Sequence, residues 1–98
     1  MTDKKLRIIL VDDHAVVRTG YRILLENDPA LEVVAELESG EEANQQAREL
    51  NPDIMVMDLS MPGMGGLEAI RRIKAKNPEI NILVFTMHDY VSFVEHAM

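Results

Sequence analysis

Four short segments of the chain are rich in apolar and β-branched residues, and each predicts a β-strand. They are Leu6–Val11, Leu31–Leu37, 54–57 and 80–86. The first, third and fourth segments are almost continuously apolar rather than alternating. That pattern is typical of strands that are covered on both faces in a parallel sheet.

Helical periodicity fills the gaps between these strands. Residues 14–27 carry an apolar stripe with the three- and four-residue spacing of an amphipathic helix. The stripe consists of Val17, Tyr21, Leu24 and Leu25. A second helix is predicted over residues 40–50, after a Ser-x-x-Glu capping box at residues 39–42, and two more over residues 67–76 and 90–98.

The predicted order is β-α-β-α-β-α-β-α with no repeat and no linker, so residues 1–98 are expected to form one α/β domain. Right-handed crossovers between parallel strands place the carboxyl end of every strand on one edge of the sheet. Open α/β sheets bind their ligands at that edge. The residues that directly follow the strands are therefore the candidates for a functional site.

Three carboxylates follow two of these strands. Asp12 and Asp13 come directly after the first strand, and Asp58 comes after the third. Neighbouring strands lie about 4.8 Å apart, so if these two strands are adjacent, the three side chains come within reach of one cation. Oxygen ligands suit Mg²⁺ or Mn²⁺. The simpler interpretations, a helix cap at Asp13 and a turn at Asp58, do not account for Asp12 at the end of an apolar strand.

Other residues near the strand ends carry weaker signals. Thr86 is an ordinary β-branched strand residue whose hydroxyl would lie on the same edge of the sheet. His14, His88 and His96 have no metal-ligand spacing and are expected on the solvated surface or in local hydrogen bonds. The glycines within residues 63–66 lack the P-loop spacing and its Lys, and they predict a turn into the third helix.

Charge and composition narrow the classes of function. The 98 residues include 17 Asp and Glu against 10 Lys and Arg, a net charge of −7. This balance excludes a DNA-binding module and an anionic-membrane binder within the chain. The lack of cysteine excludes a disulfide framework and a cysteine nucleophile. Because no apolar run approaches the roughly 20 residues of a membrane span and the N-terminus has no signal-peptide core, we expect a cytoplasmic protein.

The acidic residues and the segment after the third strand together resemble the receiver domain of bacterial two-component response regulators. The resemblance is carried by Asp12-Asp13, by residues 58–66, which read DLSMPGMGG, and by Thr86. The segments 11–14 and 83–89 are similar to the NarL/FixJ subfamily, whose members carry a LuxR-type helix-turn-helix after the receiver. The resemblance runs from about residue 6 to 98. It implies a flavodoxin-like, CheY-like doubly wound parallel sheet with strand order 2-1-3-4-5.

The resemblance implies a role for each site residue. Asp58 would accept a phosphoryl group from a phosphohistidine of a sensor histidine kinase. Mg²⁺, or Mn²⁺ in its place, would be held by Asp13, by Asp58 and by the main-chain carbonyl of Ser60, and through water by Asp12. The hydroxyl of Thr86 would turn towards the phosphoryl oxygen and switch the surface around the fourth helix. The parent protein would regulate transcription through a DNA-binding domain that is not among these residues.

The sequence also departs from the family pattern. A family receiver continues into a fifth strand that ends in a Lys and then into a fifth helix, and neither is present, so we expect a receiver that is incomplete at its C-terminus. The fourth strand would then be a bare edge, able to form a homodimer or a strand-swapped oligomer. One alternative is an interaction scaffold that cannot be phosphorylated. A second is a Mg²⁺-dependent phosphohydrolase, for which an Asp would be expected where Ser60 stands. A third, a nucleotide or flavin module, is disfavoured because the first strand-to-helix turn has no Gly-x-Gly.

Overall fold

A four-stranded parallel sheet with three helices is formed by the residues that the computed structural model describes, which are 4–59, 63 and 65–85. The elements in chain order are β1 (Leu6–Val11), α1 (Ala15–Glu26), β2 (Leu31–Leu37), α2 (Gly40–Leu50), β3 (Ile54–Asp58), α3 (Gly66–Lys76) and β4 (Asn81–Phe85). The strands lie in the order β2-β1-β3-β4, as predicted. The helix predicted over residues 90–98 lies outside the described residues.

The central strands β1 and β3 are adjacent, which brings the candidate site residues together. Their register sets Ile8 opposite Ile54 and Val11 opposite Met57. Because side chains alternate between the two faces of a strand, each central strand contributes to two separate apolar layers. The residues that directly follow Val11 and Met57, Asp12 and Asp58, therefore leave the sheet side by side.

The larger apolar layer lies between the sheet and helices α2 and α3. Ile9 and Met55 of the central strands are fully buried there against Ala47 of α2 and Ile73 of α3. The small Ala residues of α2 let that helix approach the sheet closely. Burial of this apolar face stabilises the packing of both helices against the sheet.

The opposite face of the sheet is covered by α1. Ile8, Leu10 and Val56 form its buried core, and Tyr21 and Leu25 of α1 pack against them. Leu24, which was predicted to share that stripe, is instead 72% exposed. It is adjacent in sequence to Leu25, and the roughly 100° rotation between successive helical residues turns it away from the sheet.

The ends of the elements differ slightly from the predictions. β3 runs one residue further and includes Asp58, which pairs with Phe85 of β4. β4 begins at Asn81, and its Leu83 side chain is 63% exposed. The coverage on both faces that was predicted for the fourth strand is therefore not seen in the described part of the chain.

The capping box predicted at the start of α2 is present in modified form. The Ser39 hydroxyl accepts a hydrogen bond from the Glu42 amide at 3.1 Å. The Glu42 carboxylate accepts from the amide of Glu38 at 2.8 Å, one residue earlier than in the usual box. The helix ends at Asn51, whose φ of 46° is the left-handed conformation that Asn tolerates. In the described part of the chain, every helix is too short or too polar to cross a membrane.

Candidate functional site

Asp12 is held almost completely buried at the carboxyl end of β1. Its amide donates to the Leu37 carbonyl at 3.0 Å, which continues the pairing with β2 by one residue. The side chain is only 3% exposed. One carboxylate oxygen, Oδ1, accepts a hydrogen bond from the His14 amide at 2.8 Å. The other, Oδ2, is buried with no hydrogen-bond partner among the residues that the structure describes.

Asp58 is fully buried at the carboxyl end of the neighbouring strand. Its place in the ladder with Phe85 fixes the main chain between β1 and β4. A carboxylate in such a position costs free energy unless other groups satisfy its charge. Asp12 and Asp58 are the two buried charged residues among those described. Both lie at the sheet edge where the topology predicts a site.

Asp13 and His14 complete the cluster from the loop between β1 and α1. Asp13 does not cap α1. The helix instead has His14 at its N-cap position, without a side-chain capping bond. The His14 ring nitrogen Nδ1 lies 2.9 Å from Asp12 Oδ1 and 3.0 Å from Asp13 Oδ1. One potential ligand atom from each of Asp12, Asp13, His14 and Asp58 lies within 4.8 Å of the others.

The carboxylates of this cluster change the pKa of the His14 imidazole. Its hydrogen bond with Asp12 and the nearby negative charge of Asp13 raise the pKa of the His14 imidazole above its usual value. The ring remains 58% exposed. The expectation of local hydrogen bonding is confirmed for this histidine, but its position among three carboxylates was not predicted. Its place directly after Asp12-Asp13 in the sequence was the available signal.

Arg18 ties the first turns of α1 to the end of β1. Its guanidinium donates to the Asp12 main-chain carbonyl at 2.5 Å and lies 3.4 Å from a Glu36 carboxylate oxygen. The side chain is mostly buried. Because the bond to Asp12 is made to the carbonyl and not to the carboxylate, Arg18 positions the loop while the acidic side chain stays directed into the cluster.

Glycines shape the turn that follows Asp58, as predicted. Gly63 and Gly65 both have φ of +78°, a conformation that side chains disfavour. Gly66, the first residue of α3, lies directly against the chain beside Asp58. A Cβ at this position would be 2.7 Å from the Leu59 Cα and 2.8 Å from the Asp58 carbonyl oxygen. The close approach of α3 to the site strand thus requires glycine.

The structure brings together three of the five residues predicted for the site. Asp12, Asp13 and Asp58 form one cluster. Ser60 and Thr86 lie outside the described residues. All four lysines lie away from the acidic edge of the sheet, which is the edge that carries Asp12, Asp13 and Asp58. Lys4 and Lys5 precede β1, Lys76 ends α3, and Lys74 of α3 donates to the Pro78 and Ile80 carbonyls next to the amino end of β4.

Comparison with known proteins identifies the class to which this fold and cluster belong. Residues 8–98 match the family described as the response regulator receiver domain. The chain therefore belongs to the receiver domain family of response regulators, as the sequence motifs predict.

Individual relatives place the chain more narrowly. It is 37% identical over its whole length to the transcriptional regulatory protein DegU of Brevibacillus brevis, of which the match covers 42%. The crystal structure of a LuxR-family two-component response regulator from Aurantimonas sp. SI85-9A1 is 52% identical, with a TM-score of 0.82 over 87% of this chain and 61% of that chain. The isolated receiver domain of RcsB from Salmonella enterica serovar Typhimurium, in the presence of phosphomimetic BeF3⁻, is 33% identical with a TM-score of 0.79 over 86% of this chain and 63% of that chain. The relatives support the predicted LuxR-type subfamily, and the chain spans about two fifths of the length of DegU.

Proposed function

We propose that Asp58 is the acceptor of a phosphoryl group and that the acidic cluster binds the divalent cation that this reaction requires. The observation that carries the proposal is the placement of three carboxylates from two adjacent strand ends, two of them buried, with their ligand atoms within 4.8 Å. Buried like charges at this spacing repel one another, and a bound cation relieves that repulsion.

The side chains of the cluster fit Mg²⁺, with Mn²⁺ as an alternative. Carboxylate oxygens are the ligands that these ions prefer, and the buried Asp12 Oδ2 lacks a partner in the described residues. Asp13 and Asp58 would hold the ion, Asp12 would act through water, and the main-chain carbonyl of Ser60 would complete the protein ligands. When bound, the ion neutralises negative charge on the carboxylates and on the phosphoryl oxygens.

The residues of the chain itself would carry out the phosphoryl transfer. An Asp58 carboxylate oxygen forms a bond to phosphorus while the bond from phosphorus to the leaving group breaks, and the bonding electrons depart with that leaving group. For a phosphohistidine of a sensor kinase, the leaving group is the imidazole. Burial at the end of β3 restricts the Asp58 side chain, which supports a role as the nucleophile, and a hydroxyl at Thr86 would bind the phosphoryl oxygen afterwards. The protein would thus act as a switch that modifies itself, without turnover of a separate substrate.

The wider role concerns the parent protein. We propose that residues 1–98 belong to a longer regulator whose DNA-binding segment lies elsewhere, since DegU is named a transcriptional regulatory protein and exceeds the matched region by more than half of its length. A sensor histidine kinase would supply the phosphoryl group. DNA would be contacted only through the additional segment, which agrees with the net charge of −7 in this chain.

Intact-mass spectrometry after incubation with Mg²⁺ and acetyl phosphate tests the proposal. We expect the gain of one phosphoryl group, reversed by hydroxylamine, in the parent chain and none in Asp58→Asn. Asp28→Asn, in the exposed turn after α1, is the matched control and should be labelled like the parent. Labelling of Asp58→Asn would refute the assignment. Absence of labelling in the parent chain with Mg²⁺ still bound would favour the interaction scaffold, and release of inorganic phosphate with turnover would favour the phosphohydrolase.

A further inference from the structure

His14 stands among the acidic ligands although neither the sequence motifs nor the proposed Mg²⁺ site assigns it a role. Its Nδ1 atom lies 2.9 Å from Asp12 Oδ1 and 3.0 Å from Asp13 Oδ1. Its backbone is fixed as well, because the His14 amide donates to the same Asp12 oxygen at 2.8 Å. The imidazole is thus directed at the cluster, although more than half of the ring is exposed.

A second observation indicates that the cluster is arranged for a ligand and is more than a hydrogen-bonded surface network. Asp12 is 2% exposed, and its Oδ2 has no hydrogen-bond partner in the described part of the chain. A buried carboxylate oxygen without a hydrogen-bond partner costs free energy, so such atoms persist where something else satisfies them. This atom belongs to the same carboxylate that His14 contacts.

The distances between the His14 ring nitrogen and the aspartate oxygens are suitable for the binding of one metal ion by both kinds of residue. Two ligands at right angles on a metal ion, each bound at about 2.1 Å, are about 3 Å apart. The distances from His14 Nδ1 to the two aspartate oxygens, 2.9 and 3.0 Å, match that separation. A metal ion bound by Asp13 could therefore also be bound by His14 Nδ1 with little movement of the chain, while Asp12 still acts through water.

The chemistry of the donor set then decides which ion is favoured. Carboxylates alone suit Mg²⁺ and Mn²⁺, whereas an imidazole nitrogen suits the later first-row ions such as Co²⁺ and Ni²⁺. We propose that His14 is a metal ligand that gives this site a preference for Co²⁺ and Ni²⁺ over Mg²⁺. The inference rests on the metal site proposed above and adds a specificity-determining residue to it.

Two measurements on the 98-residue chain test the proposal. Isothermal titration calorimetry with Co²⁺ and with Mg²⁺ should show that His14→Gln weakens Co²⁺ binding roughly tenfold or more while Mg²⁺ binding changes by less than about threefold. Pulsed electron paramagnetic resonance of the Mn²⁺-loaded chain should show a nitrogen coupling that His14→Gln abolishes. His88→Gln and His96→Gln, which replace the other two histidines of the sequence, are the matched controls and should retain the coupling.

The outcomes separate this inference from the proposed function. Nitrogen coupling that is absent from the parent chain, or that survives His14→Gln, would overturn the role of His14 even if Mg²⁺ binds and Asp58 is labelled. Equal weakening of Co²⁺ and Mg²⁺ binding would overturn the proposed preference. If Asp13→Asn leaves the binding of every ion unchanged, the metal site itself is wrong, and this inference fails with it.

Discussion

Replacement of Gly66 by alanine should destabilise the chain although Ala is the better helix former. The added Cβ would lie 2.7 Å from the Leu59 Cα and 2.8 Å from the Asp58 carbonyl oxygen. Non-bonded carbon atoms prefer separations of about 3.5–4.0 Å, so the overlap with the Leu59 Cα is about 0.8 Å or more. These neighbours are mainly backbone in a buried strand end and cannot rotate away. We expect a loss of about 1–3 kcal/mol.

Gly20→Ala is the matched control because Gly20 is also helical but has open space around it. No atom lies within 4 Å of the position that its Cβ would take. Relief of the glycine penalty in a helix should therefore stabilise the chain by about 0.5–1 kcal/mol. Substitution of glycine by alanine is thus expected to lower the free energy of unfolding at position 66 and to raise it at position 20.

Urea denaturation followed by far-UV circular dichroism measures both effects. With a slope of about 1–2 kcal/mol/M, a loss of about 2 kcal/mol in Gly66→Ala lowers the midpoint by about 1–2 M. The midpoint of Gly20→Ala should rise. If Gly66→Ala is as stable as the parent chain or more stable, the close packing of α3 against the Asp58 strand end is refuted.

Four further predictions follow from individual contacts. Ser39→Ala should cost about 1 kcal/mol in urea unfolding through loss of the α2 cap, and an unchanged midpoint would contradict the observed bond to Glu42. In the metal-free chain, the raised pKa of His14 means that its stabilising contribution is complete below pH 6.5 and is lost as the pH rises through the raised value. An NMR titration of the imidazole with a midpoint at or below 6.5 would contradict this. Asp58→Asn should reduce the rise in melting temperature that Mg²⁺ produces. Equal Mg²⁺ responses would argue against Asp58 as a ligand. Exposed Leu83 on β4 should promote self-association, which sedimentation velocity should detect and Leu83→Lys should reduce, whereas a monomer at all concentrations would refute it.

The order of the elements and the position of the site could be predicted from sequence because both depend on local patterns. Continuous apolar runs identified the central strands, and the cap at Ser39 identified the start of α2. Parallel topology then placed Asp12 and Asp58 at one edge without any knowledge of their contacts. The acidic cluster could be predicted because the carboxyl ends of parallel strands meet at that edge.

The details that were missed depend on contacts between distant parts of the chain. β3 includes Asp58 because Phe85 of another strand extends the ladder, and no feature of residues 54–58 reveals that partner. Gly66 resembles any turn glycine until the Leu59 backbone is placed beside it. His14 resembles any surface histidine until the ends of two strands bring three carboxylates around it.

The acidic edge couples the stability of the fold to its proposed chemistry. Asp12 and Asp58 are buried near each other, and the nearby Arg18 donates to a main-chain carbonyl, so it does not neutralise the Asp12 carboxylate directly. A cation at one hundred times its dissociation constant would stabilise the fold by about 2.7 kcal/mol, similar to the cost expected for Gly66→Ala. A phosphoryl group on Asp58 would replace one negative charge by nearly two. The modified edge would therefore need more positive charge and more hydrogen-bond donors than the unmodified edge supplies. This need would favour a conformational change that brings such groups to Asp58.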